Sequence, residues 1–316
     1  MPNRLKAIIA LALIAPVLTE IVSGNTLPHA LLHPSVVFFL IAVYSLPLLL
    51  IRELSIRWRL RVSGIFLLGL AYGLLNEGLV AQTLIRYGRV PVANFDHYTY
   101  AAGINFAWTA LIVPWHAFMA VLFPLALLGL WFRDSADTVW LDRKWFIALT
   151  VIVGGGVIFL GLARTPRFQM RAFLVAMTVL VATARLCANR DVPRPDDTQG
   201  RSSGFAAGAI FYTALFLGAT TLAGRKVAPE LYFLFVAAVI AGFAWFTRKF
   251  GFNRLPNAAF IALGGYCAAA LFNFLSGVMR HSPEASVCGA AFSVAFIWLW
   301  QYSRRGSAVP AVASEQ

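Results

Sequence analysis

The chain has 316 residues, of which 60% are hydrophobic and only 12% charged, with a formal net charge of +13. Soluble domains carry roughly 25% charge, and an exterior facing water on all sides cannot be built from so few polar residues, so a water-soluble fold is excluded. The basic residues sit in short stretches between apolar runs, where they read as topology signals and headgroup contacts; no nucleic-acid partner is expected.

Ten apolar runs follow one another along the chain, at 6–23, 35–52, 62–85, 106–131, 144–163, 172–188, 205–223, 229–247, 257–278 and 286–302. Each is of a length to cross about 30 Å of hydrocarbon as a helix. None alternates as a lipid-facing β-strand does. The fold class expected is therefore all-α, a polytopic transmembrane bundle of about ten spans. Arg4 and Lys6 before the first run resemble the start of a signal peptide, but Glu20 interrupts the region a signal peptidase would read, so the run is taken as an uncleaved first helix.

With the amino terminus placed in the cytoplasm, the inside segments collect 18 of the 26 Lys and Arg residues, in groups such as Arg52, Arg57, Arg59 and Arg61. The outside segments keep the remainder. This is the positive-inside bias, and it brings both termini to the cytoplasmic face. Trp58, Trp131, Trp145, Trp245, Trp298 and Trp300 fall near the same boundaries, where indoles anchor at headgroups. Residues 189–204, rich in turn formers and charge, divide a six-span part (1–188) from a four-span part (205–303), and 304–316 read as a disordered tail. Residues 86–104 form the longest outside loop.

Ionisable and amide groups inside spans are the candidates for chemistry, because a central charge costs about 2.5–3.5 kcal/mol on insertion scales. Glu20 lies near the outer end of the first span. Asn76 and Glu77 lie in the third, the carboxylate about 12 Å from the outer end at 1.5 Å per residue. His116 lies in the fourth, about 15 Å deep by the same count, and Asn105 shares its face three turns above. Asn273 falls in the outer half of the ninth. Gly69, Gly73, Glu77 and Ala81 form a stripe at four-residue spacing, which lets helix backbones approach and turns Glu77 toward a neighbouring helix. Pro114 and Pro124 flank His116 and free backbone carbonyls beside it. Glu20, Asn76, Glu77, Asn105, His116 and Asn273 are therefore expected to form a polar cluster that opens outward. The same residues also read as interhelical glue.

The other polar features read as local structure. His29 and His33 are four apart, but Pro28 and Pro34 bracket them, so they are placed in a turn rather than a metal site. Arg52 and Glu53 read as a local pair at a helix end. Gly154, Gly155 and Gly156 read as a place of close helix packing or a hinge, since no Lys-Ser/Thr follows to make a phosphate loop. Cys187, Cys267 and Cys288 form no CxxC pair and read as packing residues.

Thr19-Glu20 with Ser23-Gly24, Ile51-Arg52-Glu53-Leu54, Gly73 to Leu79 (GLLNEGL), Asn105-Phe106-Ala107-Trp108 and Trp115-His116-Ala117 resemble a family of uncharacterised bacterial multi-pass membrane proteins. The likeness covers residues 15–131, and it implies a bacterial cytoplasmic membrane and no particular activity. A looser similarity is to the CAAX-protease-like intramembrane metalloproteases. Glu77 takes the place of the second Glu of their Glu-Glu-x-x-x-Arg helix and His116 that of their first His. Asn76 replaces the first Glu, Ile112 stands where Phe belongs, and no later helix offers His-x-x-x-Asn.

Three functions fit these residues. The first is a carrier for a small solute or ion, with Glu77 as a proton- or cation-binding carboxylate, His116 as its partner, and Glu20 and Asn105 as outer lining. It needs no cofactor, and its partners are the solute and a bilayer with anionic headgroups. The second is an intramembrane hydrolase or transferase, with Glu77 as general base, His116 as metal ligand or proton shuttle, and zinc held by His116 and Glu77. The third is a non-catalytic scaffold.

Overall fold

The structure, a computed structural model, describes residues 2–85, 92–187, 201–252 and 255–305. Helix α1 (Pro2–Pro16) is prolonged by a π-helical turn, Val17–Ile21. Nine further helices among the described residues are long and apolar enough to cross a membrane: α2 (Pro34–Arg57), α3 (Val62–Val80), α4 (Phe106–Trp131), α5 (Arg143–Gly161), α6 (Arg167–Leu186), α7 (Ser202–Gly224), α8 (Pro229–Lys249), α9 (Ala258–Met279) and α10 (Pro283–Ser303). The protein is an all-α multi-pass bundle, and the ten apolar runs reappear as ten helical segments. The run at 62–85 ends early, at Val80, because the chain turns through Gln82 at φ +62°. A small antiparallel hairpin, β1 (Tyr100–Ala101) with β2 (Ile104–Asn105), lies in the long outer loop. The linker expected at 189–204 lies outside the described residues up to 200, and Arg201 already begins a helix. Of the tail at 304–316, only Arg304 and Arg305 are described, as the end of the last helix.

Chain starts and stops have local causes. Asn105 and Asp142 accept hydrogen bonds from the backbone N–H groups of Trp108 and Trp145, capping α4 and α5. Proline opens α2, α8 and α10, where a missing N–H costs nothing.

Loops assigned by charge to one face meet one another. At the arginine-rich end, Arg57 donates to the Leu141 carbonyl and Arg185 stacks over Trp58. At the opposite end, His29 pairs with Glu284 at 2.8 Å, Lys226 donates to the Asn94 and Asp96 carbonyls, and Gln169 donates to the Ala102 carbonyl. The alternation read from the loops is thus present in three dimensions. Trp131, Trp145, Trp245 and Trp298 are exposed at the arginine-rich end, as interfacial anchors are.

Helix α4 is the axis: its most apolar window is wholly buried, while those of α5, α6, α8 and α10 are less than a fifth buried and turn large apolar side chains outward. Close contacts between helices are made by glycine. A Cβ at Gly208 of α7 would lie 1.9 Å from the Ile261 carbonyl oxygen of α9, and one at Gly264 of α9 would lie 1.9 Å from the Phe205 carbonyl oxygen of α7. Of the two readings of Gly154, Gly155 and Gly156, close helix packing is not found: outside their own helix no described atom lies within 4 Å of a Cβ at any of them.

Three prolines leave carbonyls without their helical donors, and hydroxyls from other helices supply them. Pro16 cannot reach the Ala12 carbonyl, which accepts from Ser45 at 2.8 Å. Pro47 cannot reach that of Val43, which accepts from Tyr72 at 3.0 Å. The π-helical segment Ala117–Leu122 pairs Phe123 N–H with the carbonyl of Phe118, five back. Pro124 would face Met119 in the same register, and the Met119 carbonyl accepts from Tyr266 at 2.6 Å. No water is at hand inside a bilayer, so these side chains are what permits prolines there.

Arg52 and Glu53 are not a surface pair. Both are buried, 2.7 Å apart, and they staple the loop between α4 and α5. Arg52 donates to the carbonyls of Ser135 and Ala136 and lies 3.8 Å from the Trp140 ring centroid; Glu53 accepts from the Trp140 backbone N–H and pairs with Arg57.

Two stability predictions follow from this packing. Gly208→Ala forces α7 from α9 and is expected to cost about 1–3 kcal/mol in detergent unfolding, whereas Gly155→Ala leaves stability unchanged or higher. Glu53→Ala strands a buried guanidinium and is expected to cost about 3–5 kcal/mol. Equal melting of all three variants with the parent would contradict the packing described.

Candidate functional site

The stripe on α3 sets the geometry. A Cβ at Gly69 would lie 2.7 Å from the Ala117 Cα, and one at Gly73 would lie 2.8 Å from the Val113 carbonyl oxygen. Helix α3 therefore rides directly on α4. One turn further, Glu77 Oε1 lies 3.5 Å from His116 Nε2, and both residues are buried. On its other side, Gly78 meets the Phe173 ring of α6.

The helices are locally underwound at this level. Glu20 lies in the π-helical turn Val17–Ile21, Tyr44 in Ile41–Ser45, and Asn76 and Glu77 in Leu75–Val80; His116 immediately precedes Ala117–Leu122, and Tyr212 stands two residues before Ala214–Gly218. Such bulges add a residue to a turn and re-aim the side chains around it.

A hydrogen-bonded chain runs from Glu20 to His116, which stands beside Glu77. Thr26 donates to Glu20 Oε2 at 2.6 Å and Tyr44 donates to Glu20 Oε1. Asn76 Nδ2 lies 3.5 Å from the Tyr44 hydroxyl and 2.8 Å from His116 Nε2. His116 Nδ1 faces the Ile112 carbonyl at 3.1 Å; a carbonyl only accepts, which assigns the proton to Nδ1 and leaves Nε2 to accept from Asn76. Thr83 donates to Glu77 Oε2, and Trp108 Nε1 donates to Thr83 at 2.9 Å. With Nε2 a lone-pair bearer, the nearby Glu77 oxygen is held comfortably only when a proton or another positive charge joins the pair.

This chain borders a cavity of about 500 Å³, within the range of small-molecule sites, which opens between the loops at the end remote from the arginines. Of the six expected site residues, Glu20, Asn76, Glu77 and His116 line it. Asn105 and Asn273 do not. Asn105 caps α4 and donates to the Phe95 carbonyl at 2.9 Å. Asn273 donates to the Ile21 carbonyl at 3.2 Å and packs on Gly24, fastening the outer end of the first span to α9. Both are scaffold, because their polar atoms are used on backbone. Tyr44, Thr26, Thr83, Trp115 and Tyr212 join the cavity from positions the sequence does not mark, since hydroxyls and indoles in apolar runs carry no charge signal.

A zinc site of the expected kind needs at least three protein ligands. Glu77 and His116 touch, but among the described residues no group of three His, Cys, Asp or Glu side chains converges. Among the described residues the donor set does not make a zinc site of that kind.

A second cavity, of about 440 Å³, lies toward the arginine-rich end, with Arg61 and Arg248 in its wall. The two approach each other along α4, where Trp115 and His116 line the first and Phe118 and Leu122 the second. Between them, Phe118, Phe211 and Phe243 pack with ring centroids 4.0–5.1 Å apart; Phe211 adjoins Tyr212 of the first wall, and Phe243 lines the second.

A family model described as an uncharacterized membrane protein family matches residues 9–299. The chain belongs to that family. Membership reaches from the first helix into the last, well beyond the 15–131 stretch that carries the resemblance in sequence. Neither a curated protein nor a solved structure matches the chain. The family description establishes an integral membrane protein and no activity, so what this family member does must be argued from its cavity.

Replacing His116 with Leu leaves the buried Asn76 amide without its partner. The expected cost is about 1–3 kcal/mol in thermal unfolding. Glu77→Gln, which still accepts from Thr83, is expected to melt close to the parent. The reverse ranking would mean that the network does not hold as drawn.

Proposed function

We propose that this membrane protein is a carrier for a small solute or ion in the bacterial cytoplasmic membrane, with the Glu77–His116 pair as its coupling site. The observation that carries the reading is the stacking of two cavities on one buried helix. The first holds the titratable pair and faces one end of the bundle; the second faces the other. Among the described residues, Phe118 and Phe243 line the second cavity and pack with Phe211, which adjoins Tyr212 of the first. An enzyme or a scaffold has no use for a second approach from the opposite face, whereas alternating access requires one.

In this reading the Glu77 oxygen and His116 Nε2 share one proton or one cation. Arrival of a cationic or hydrogen-bond-donating solute replaces that charge, and the network through Asn76 and Tyr44 passes the change to Glu20. Ionisable groups inside spans serve as relays of this kind in pumps and transporters. Positive-inside charge puts the Glu20 cavity on the outer face. The intramembrane hydrolase is less well supported, since among the described residues no third ligand joins Glu77 and His116.

The test uses proteoliposomes of the purified chain with a pH dye inside. Inward gradients of small amines and neutral polar solutes are imposed one at a time. Solute-dependent change in lumenal pH is expected for at least one of them, reduced to the level of empty liposomes by Glu77→Gln while the melting temperature is kept. If Glu77→Gln carries the same flux as the parent, the coupling role is lost.

A further inference from the structure

We propose that the outer cavity binds an organic ammonium ion, of the methylated or quaternary kind. The inference rests on the reading of this cavity as the binding site and names the class of ligand it takes. Charge narrows the choice first. Glu20 and Glu77 line the cavity, and among its described lining residues there is no Lys or Arg. An anion would meet two carboxylates and no cationic side chain other than a protonated His116.

The walls narrow it further. Phe39, Tyr44, Trp108, Trp115, Tyr212 and Phe216 all line the space, drawn from α2, α4 and α7. Aromatic faces attract cations through the ring quadrupole, and they suit a methylated ammonium because it has few or no N–H groups to donate. An inorganic cation fits less well. Ca²⁺ takes six to eight oxygens and Mg²⁺ an octahedron, whereas here the Glu20 and Glu77 oxygens are held by Thr26, Tyr44 and Thr83. A space of about 500 Å³ also greatly exceeds a bare ion. A sugar would need many convergent donors and acceptors. Trp115 Nε1 lies at the Tyr212 hydroxyl, and both residues line the cavity.

The experiment is a fluorescence titration of the purified chain, reading Trp108 and Trp115. Tetramethylammonium and choline chlorides are compared with sodium chloride, ammonium chloride and glucose at matched ionic strength. Saturable change is expected with the two methylated ions and not with the other three. Trp115→Leu is expected to weaken choline binding by about 30-fold, the worth of one desolvated cation–π contact, and Trp115→Phe to restore most of it. Should Trp115→Leu fail to fold, Trp115→Phe and Tyr212→Leu carry the comparison through the same titration.

Equal responses to sodium and tetramethylammonium, or saturation by glucose alone, overturn the proposal. So does indifference of choline affinity to loss of the rings. Choline binding with no flux in proteoliposomes would sink the carrier and leave this ligand class standing. Glu77-dependent flux of some other solute, with no binding of methylated ions, would do the reverse.

Discussion

The approach of α3 to α4 governs everything in the outer half of the bundle. Between lipid-embedded helices there is little hydrophobic driving force, so association depends on how closely backbones can come and on polar bonds between them. Gly69 and Gly73 provide the closeness, each leaving room only for hydrogen where a side chain would meet Ala117 or Val113. The same helix face that has no side chain at 69 and 73 has a carboxylate at 77. Its contact with His116 is thus a consequence of register, fixed two turns below the site. Gly78 then lets α6 close over the back of Glu77 through Phe173.

Such packing does not by itself make a cavity. The space arises because the helices around it are underwound at one level, with π-helical turns in α1's continuation, α2, α3, α4 and α7. In an apolar medium an irregular turn is tolerable only if its carbonyls are served by the protein. Ser45, Tyr72 and Tyr266 serve those freed by Pro16, Pro47 and Pro124. The tyrosines are therefore part of the price of the bulges, and the bulges are what turn Glu20, Tyr44, Asn76 and Tyr212 toward a common centre. Scaffold and site are coupled through the backbone.

The two layers of this arrangement were unequally legible in the sequence. Ten helical segments, their alternation and the meeting of Glu77 with His116 could be read, because hydrophobicity, charge bias and four-residue spacing are local signals. Asn105 and Asn273 stand outside the cavity, bonded to carbonyls: a polar residue in a span marks a need for a partner, and only coordinates tell which partner it meets. Gly154–Gly156 and Gly208 carry the same letter, yet the first group faces no neighbour and the second meets the α9 backbone. Arg52-Glu53 looked like a helix end because nothing in its own segment announces that residues 132–140 fold over it. The π-helical turns were invisible, since they follow from tertiary packing beside proline and not from proline alone.

The distribution of polar groups along the bundle fits the carrier proposed above. At the arginine-rich end, Arg52 and Glu53 are tied to each other and to five neighbouring groups, an arrangement whose disruption would strand buried charge. That end is a rigid base. In the outer half, by contrast, Glu20 and Glu77 are held mainly by hydroxyls, those of Thr26 and Tyr44 on the first and that of Thr83 on the second. Hydroxyl rotors exchange partners without breaking an ion pair, so the outer network can gain or lose a positive charge while the base stays assembled. The phenylalanine layer between the cavities is held by ring contact alone, with no hydrogen bond to break when it parts. A network held by hydroxyls beside a frame held by buried ion pairs would suit the opening and closing that the proposed carrier needs.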